Sequence, residues 1–511
     1  MAVTLLVFSQ LTAILLLLIL FLQSFKRKNA SKSQSKIKLP PGPSTIPILG
    51  SLHHLLFTSR PHHALRDLAR SHGPIMLLRF GEINLLVLSS TEAAKEVMKV
   101  EDAKFSIRPT LSATKAILYG CTDIAFSAGP YWRQLRRICV TELLSSKRVK
   151  SFSLIRKEEI HSMLKTLSTF SNDSSAVNLG AKLRELTNNI VLRAAFGGKC
   201  SQQATFLKFS KQAVEAASWF CLSDIFSSLS WLDVKARRKF ARIHRELDII
   251  LEEILQDHLK KSKGKQNPTD GDAEYDLVDV LIKAKECDDL EIPITLDNIK
   301  AIIMDLFTGG TDTASTTIEW AMSELIKNPD ILAKAQAELR EFATENTKLD
   351  KNGLKGYHYL KLIIKETLRL HTPAPILLPR LCQETCQLLG YTIPPGTIIV
   401  VNAWALGRAD EYWNNAEKFI PERFENCSIG FKGNNFEFMP FGAGRRICPG
   451  VDFGMAIVEA ALAELLLHFD WKVPGGMLPE DLDMTVTLGA VTTRKKPLSL
   501  IPVLRVPLLE T

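Results

Sequence analysis

The chain has 511 residues, 46% of them hydrophobic and 23% charged, with a formal net charge of +9. That composition supports a sizeable buried core and excludes wholesale disorder. Nine cysteines, an odd number spread along a long chain, argue against a disulfide framework and for a reducing compartment.

At the N-terminus, residues 2–25 carry no charge, and their centre, LTAILLLLILFL, is almost wholly aliphatic. As a helix this segment rises about 36 Å, enough to cross a bilayer with some tilt. The next thirteen residues, KRKNASKSQSKIK, hold six Lys or Arg and no acid. That asymmetry predicts a single-pass anchor with its C-terminal side in the cytosol. A cleaved signal peptide is the other reading of such a start, but no basic n-region precedes the apolar run and no clear cleavage motif follows. On the cytosolic side Asn29, Asn172 and Asn426, each in an N-x-S pattern, are expected to stay unglycosylated. With most of the excess charge beside the anchor, no nucleic-acid partner is expected. LPPGPSTIPILG (39–50) has four prolines and two glycines, so it reads as a stiff extended connector. The expected organisation is an anchor over 1–25, a basic stretch and proline-rich hinge over 26–50, and one large domain over 51–511.

Long helical patterns dominate that domain, with β-like pieces at MLLRFGEINLLVLSS, TIIVVNAW and MTVTL. The expected fold class is mainly α with small peripheral β-sheets. In YWRQLRR, Trp132 and Arg136 lie four apart on one helix and offer two donors suited to a carboxylate; a packing indole beside a surface arginine fits equally. The polar stretch 261–276 reads as an exposed loop. A helix of about thirty residues begins near Thr295 or Asp297 and stops at Asn328-Pro329. Within it GGTDTAS (309–315) sets two glycines mid-helix, each costing about 1 kcal/mol relative to Ala. The Thr313 hydroxyl is placed to compete for the Gly309 carbonyl, which predicts a locally opened helix; a tolerated kink is the alternative. Glu366 and Arg369 share a helical face, as a surface ion pair would, and Arg423 in PERF offers a third member of a buried network. Cys382 and Cys386 lack the partners of a zinc site.

FGAGRRICPG (441–450) places Cys448 on a glycine-rich loop just before a strongly helical segment. Ile447 stands where a dinucleotide loop needs its third glycine, which excludes that reading. The helix dipole and free N–H groups favour a thiolate at Cys448, a natural axial ligand for haem iron; a buried apolar cysteine is the simpler reading of the loop alone.

Together these motifs resemble the cytochrome P-450 superfamily, in its membrane-anchored plant form. That form carries F-x-x-G-x-R-x-C-x-G, E-x-x-R, P-E-R-F, W-x-x-x-R and G-G-x-D-T segments after an anchor and a proline-rich hinge, and this sequence holds all five. The resemblance spans nearly the whole chain and implies the cytochrome P-450 fold, with 51–511 as a haem-thiolate catalytic domain. It implies haem b held by Cys448 as metal ligand, with Arg446, Trp132, Arg136, Arg380 and Phe441 at the cofactor. Asp312 and Thr313 become the proton relay during dioxygen activation. Glu366, Arg369 and Arg423 become a structural network. Ala314 departs from the family's second hydroxyl residue, with Ser315 following. No FMN, FAD or NADPH fold occurs in the chain, so electrons are expected from a separate NADPH–cytochrome P-450 reductase at the endoplasmic reticulum membrane. Arg445, Lys432, Arg133 and Arg137 are candidates to steer that acidic partner.

The segments that meet substrate in the family read PTLSATKAIL, AIIMDLFTGG, TPAPILL and TLGAV here. They are largely aliphatic, with Lys115 and Asp305 expected to point outward, and suit an apolar ligand. The resemblance implies hydroxylation of a sesquiterpenoid or diterpenoid. Phenylpropanoid, indole or alkaloid substrates are alternatives within the same chemistry. A haem-thiolate isomerase or dehydratase, independent of NADPH, and a non-catalytic haem sensor are alternatives outside it.

Overall fold

The computed structural model describes residues 38–56, 58, 60–198, 202–218, 220–264, 275–286, 290–345, 357–487 and 489–508. The predicted anchor and the basic stretch to residue 37 lie outside the described residues. Among the described residues no helix is long and apolar enough to cross a membrane.

The hinge docks at once on the first sheet: Leu77 N donates to Pro41 O at 2.8 Å, and Ser51 N to Arg79 O at 2.5 Å. Helix α1 (Pro61–His72) then leads into hairpin β1 (Ile75–Phe80) and β2 (Ile83–Leu88). Helices α2 (Gly129–Ile138), α3 (Leu179–Phe196), α4 (Val234–Gly264), α5 (Leu296–Lys327) and α6 (His358–Leu370) follow. Strands β3 (Arg380–Leu381) and β4 (Ile398–Val401) complete the first sheet in the order β1-β2-β4-β3. Within it β2 and β4 are parallel, Leu85 opposite Ile398, and Arg380 pairs with Ile399. Helix α7 (Val451–His468) runs straight into β5 (Phe469–Lys472), which pairs with the C-terminal β6 (Ser499–Leu504). This is the mainly α arrangement with small peripheral sheets expected from the hydrophobic pattern.

Helix α5 crosses the molecule. Thr295 caps it, its hydroxyl accepting from Asn298 N at 3.2 Å while the Asn298 side chain accepts from Thr295 N at 2.9 Å. It packs along α3, where a Cβ on Gly310 would sit 3.1 Å from Val191, and against α7. The polar stretch from residue 261 is not wholly a loop: α4 continues helically to Gly264, and 265–274 lie outside the described residues. All seven described cysteines are free thiols.

Candidate active site

The cysteine loop folds on itself before α7 begins. Cys448 N donates to Phe441 O at 3.0 Å, and Ile447 N to Gly444 O at 3.1 Å around a short 3-10 turn at Gly444–Arg446. Gly444 is required twice over. Its φ is +69°, and a Cβ there would meet Met98 O at 1.9 Å. Phe441 packs edge-on against Phe431, ring centroids 5.4 Å apart. The Cys448 side chain keeps accessible surface, yet burial pushes its thiol up. The two agree if that surface faces an internal chamber rather than bulk water. The Gly450 N–H and Arg136 act in the opposite direction and lose. Desolvation of the sulfur thus opposes the helix end at this position. A bound cation would reverse that balance.

Beside the loop, buried and half-buried arginines converge. Arg446 donates to Ser106 O at 2.7 Å, Ile124 O at 3.3 Å and Ser127 O at 2.5 Å, and its guanidinium lies 3.9 Å from the Trp132 ring centroid. Arg380 pairs with Asp102 and donates to Ala443 O at 2.9 Å. Arg108, which sequence reasoning missed, donates to Leu378 O at 2.6 Å and Pro379 O at 2.9 Å. Burial, then mutual repulsion with Arg380 and Arg446, holds Arg108 well below its ordinary range. Among the described residues the Arg136 guanidinium has no hydrogen-bond partner, and burial lowers its pKa. The Nε atoms of Arg108 and Arg380 and the Ser127 hydroxyl are buried without a partner. Unsatisfied donors beside uncompensated charge mark a site built for an anion.

A second missed feature closes the same region. Asp305, expected to point outward, turns inward and accepts Ile124 N at 2.7 Å and Ala125 N at 2.8 Å. Its interruption of an aliphatic helix face reads as a solvent-facing position, but the backbone of the 122–127 turn offers amides that need an acceptor. Asp123 lies against it, accepting Phe126 N at 3.1 Å. Burial and the neighbouring Asp123 raise Asp305 well above the carboxylate range, while burial pushes Asp123 up to about 6. The pair shares one proton, Asp305 donating to Asp123. The folded state thus holds more protons than the unfolded one, and this pair's contribution to stability falls as pH rises above the ordinary 3.8 of both carboxyls, to about 6 for Asp123 and beyond that for Asp305. Asn reproduces a protonated Asp305, accepting through Oδ1 and donating through Nδ2. Asp305→Asn is therefore expected to match wild-type stability at acid pH, to flatten the decline, and so to exceed wild type at neutral pH. Asp305→Ala strands two amides and loses about 2–4 kcal/mol. Urea titrations across this pH range check both.

On α5 the Thr313 hydroxyl donates to Gly309 O at 2.7 Å, as its spacing predicts. The helix is not opened, however, and runs unbroken from Leu296 to Lys327. Burial along most of its length, against α3 and α7, outweighs the propensity cost of two glycines. Gly309 is nevertheless exposed amid buried turns, which places open space beside Thr313. Ile302, Ile303, Met304 and Phe307 are buried in the core, so only part of AIIMDLFTGG faces that space. Burial raises the Asp312 carboxyl, opposed by Arg184 on α3 and by Lys211. Thr317 donates to Thr313 O at 2.8 Å and Ser315 to Thr311 O at 3.2 Å, so both following hydroxyls are spent on the backbone.

Glu366, Arg369 and Arg423 meet in one buried network. Arg369 grips Glu366 through two bonds of 2.7 and 2.8 Å, and Arg423 Nε donates to Glu366 Oε1 at 2.9 Å. The Arg369 guanidinium also donates to Gly407 O, Ala416 O and Lys418 O. It thereby ties α6 to the segment that leads into the cysteine loop.

A mainly helical fold with a cysteine loop ahead of its last long helix, and a cationic cluster around it, defines a haem-thiolate oxygenase. The chain belongs to the cytochrome P450 family, whose model matches residues 40–501. It is 47% identical over 498 residues to desmethyl-deoxy-podophyllotoxin synthase of Sinopodophyllum hexandrum, covering 96% of each chain. It is 48% identical to premnaspirodiene oxygenase of Hyoscyamus muticus, covering 97% of this chain and 98% of that one. A zebra fish cytochrome P450 structure with progesterone shares the fold, with a TM-score of 0.73 at 23% identity over 87% of this chain and 99% of that one. The protein is a plant A-type monooxygenase with haem b as cofactor, and its family implies an apolar substrate, dioxygen and a redox partner. The residues present fit that cofactor. Arg108, Arg136, Arg380 and Arg446 gather where the buried Nε donors of Arg108 and Arg380 lack acceptors, which the anionic propionates would supply.

Proposed function

We propose that the protein is anchored in the endoplasmic reticulum membrane and hydroxylates a sesquiterpenoid or diterpenoid, with electrons from NADPH through NADPH–cytochrome P450 reductase. The observation that carries the substrate class is that, among the described residues, neither charged side chain of the candidate contact segments is left free to face a ligand. Lys115 is exposed, and Asp305 is occupied by backbone amides. The name of the Hyoscyamus relative supports the same class. For the membrane, the hinge exposes Leu39, Ile46 and Leu49, and the 222–234 segment exposes Leu222, Trp231 and Leu232. The two are linked through Gly81 N to Leu49 O and Glu82 N to Ile225 O, which supports one apolar contact face.

Bound haem supplies the oxidising chemistry that inserts one oxygen atom into a C–H bond. Cys448 is its ligand. Arg446, Arg380, Arg136 and Arg108, with the Trp132 indole, hold the propionates, and Phe441 packs behind the loop. Thr313 holds a proton at Oγ1 in the open stretch of α5, and Asp312, its pKa raised, resupplies protons. Glu366, Arg369 and Arg423 keep the loop in register. Exposed Arg445, Lys432, Arg133 and Arg137 offer the reductase a cationic face on the cysteine side.

Co-expression with a reductase in microsomes, with a panel of terpenes, phenylpropanoids, indoles and alkaloids, tests the proposal. The expected result is an oxygenated terpene that requires NADPH and dioxygen, with reduction slowed by salt. Turnover confined to another class overturns the substrate assignment, and turnover without NADPH overturns the chemistry. Thr313→Ala is expected to lower product per NADPH about tenfold or more and raise hydrogen peroxide release in step. Unchanged coupling in that variant contradicts the proton role.

A further inference from the structure

A cavity of about 500 Å³ opens on a different part of the molecule, between the start of α1, the end of α5, the end of α6 and the segment around Arg408. None of its lining residues belongs to the cysteine loop, the propionate cluster or the Gly309–Thr313 turn. Its floor is aromatic: Trp320 stacks on His371 at 4.2 Å, and Trp404 meets His63 at 4.0 Å. Its rim is charged. Arg60, Lys327, Arg408 and Lys418 line it against Glu324 and Glu417. Both carboxylates are already engaged, Glu324 with His371 at 2.6 Å and Glu417 with Arg408 Nε at 3.2 Å.

The Arg408 side chain is only 8% exposed, and its Nη1 is buried with no hydrogen-bond partner. The Nδ1 of His62, a residue only 1% exposed, is likewise unpartnered. Burial, then neighbouring His63, Arg408 and Arg60, pushes His62 down to about 3, so it is neutral and free to present an N–H. Glu417 balances the charge of Arg408, but a buried Nη1 donor without an acceptor is costly unless one joins it.

We infer that this cavity is a second binding site, for the dianionic phosphate of a small organic phosphate or of a phospholipid headgroup. Four cations against two carboxylates leave two positive charges, the complement of a phosphate monoester. Arg408 supplies its unpartnered Nη1 to one of its oxygens, with His62 adding a donor and Lys327 and Lys418 closing the rim. The aromatic floor takes the organic body, which a bare ion would not need. The site stands apart from the oxygenation chemistry and holds whatever the oxygenated substrate is.

The test is calorimetric titration of the detergent-solubilised holoenzyme with glycerol 3-phosphate, and separately with dioctanoyl phosphatidic acid against dioctanoyl phosphatidylcholine. One-to-one binding that weakens with salt is expected. Binding of glycerol 3-phosphate identifies a soluble phosphate, and binding of phosphatidic acid alone identifies a headgroup. Arg408→Gln should weaken it about tenfold or more. Lys327→Gln, at an exposed side chain whose loss leaves the packing intact, should weaken it about threefold and keeps the test valid if Arg408→Gln fails to fold. Lack of binding by either phosphate, or unchanged affinity in Lys327→Gln and any folded Arg408→Gln, overturns the inference.

Discussion

Replacing Cys448 by alanine is expected to abolish the haem–thiolate spectrum of the reduced carbonyl complex and to cut turnover by about a thousandfold or more, at least ~4 kcal/mol of barrier. The size of the effect follows from how the loop is built. Cys448 is fixed by its own amide on Phe441 O, by the turn at Gly444 and by the Arg446 side chain reaching Ser106, Ile124 and Ser127. No other described cysteine is placed to substitute: Cys139, the sulfur nearest in electrostatic influence, is buried in the core, and burial pushes it up to about 12. Removing one sulfur therefore removes the ligand without collapsing its surroundings. Cys448→Ser refines the result, since an oxygen in the same place donates less charge to iron. Haem retained with an altered spectrum in the serine variant, beside loss of the thiolate signature in both, is the expected pair of outcomes. A persistent thiolate spectrum in Cys448→Ala would assign the ligand elsewhere.

Features carried by short-range patterns were readable from residues alone. The 3.6-residue period and the Thr295 cap gave α5 nearly to its ends, and the three-residue spacing of Glu366 and Arg369 gave their shared face. Features that depend on chain crossings were not. Asp305 sits 182 residues from Asp123, and nothing local to either announces a shared proton. Arg108 follows FSI with no periodicity around it, and only folding brings it to Arg380 and Arg446. One expectation failed because a local term was weighed without its tertiary opponent: helix propensity at Gly309 and Gly310 lost to the packing of α5. The orphaned Arg408 Nη1 is the same lesson in reverse, since in sequence it is simply an arginine after WALG.

Glu366→Gln is the structural counterpart of the cysteine change and is expected to cost about 3–5 kcal/mol of stability, the usual penalty for breaking a buried ion pair from one side. Glu366 is fully buried, and its two oxygens take bonds from Arg369, Arg423 and the Ile420 amide. Gln keeps the shape and one acceptor but removes a fully buried carboxylate bonded to two guanidinium groups. Arg369 cannot escape to water, because its side chain is also fully buried and its remaining donors are held by Gly407, Ala416 and Lys418. The uncompensated charge must be relieved by shifting those carbonyls, and they belong to the chain that runs on to the cysteine loop. Stability and haem retention should therefore fall together, with the apparent unfolding midpoint and the haem-to-protein ratio measured on the same preparation. Arg423→Gln removes a guanidinium that also reaches the surface carbonyls of Asn414 and Asn415, and it should cost less because Arg369 still satisfies Glu366. Equal losses in the two variants, or full haem content in Glu366→Gln, would mean that α6 does not hold the cysteine loop in place.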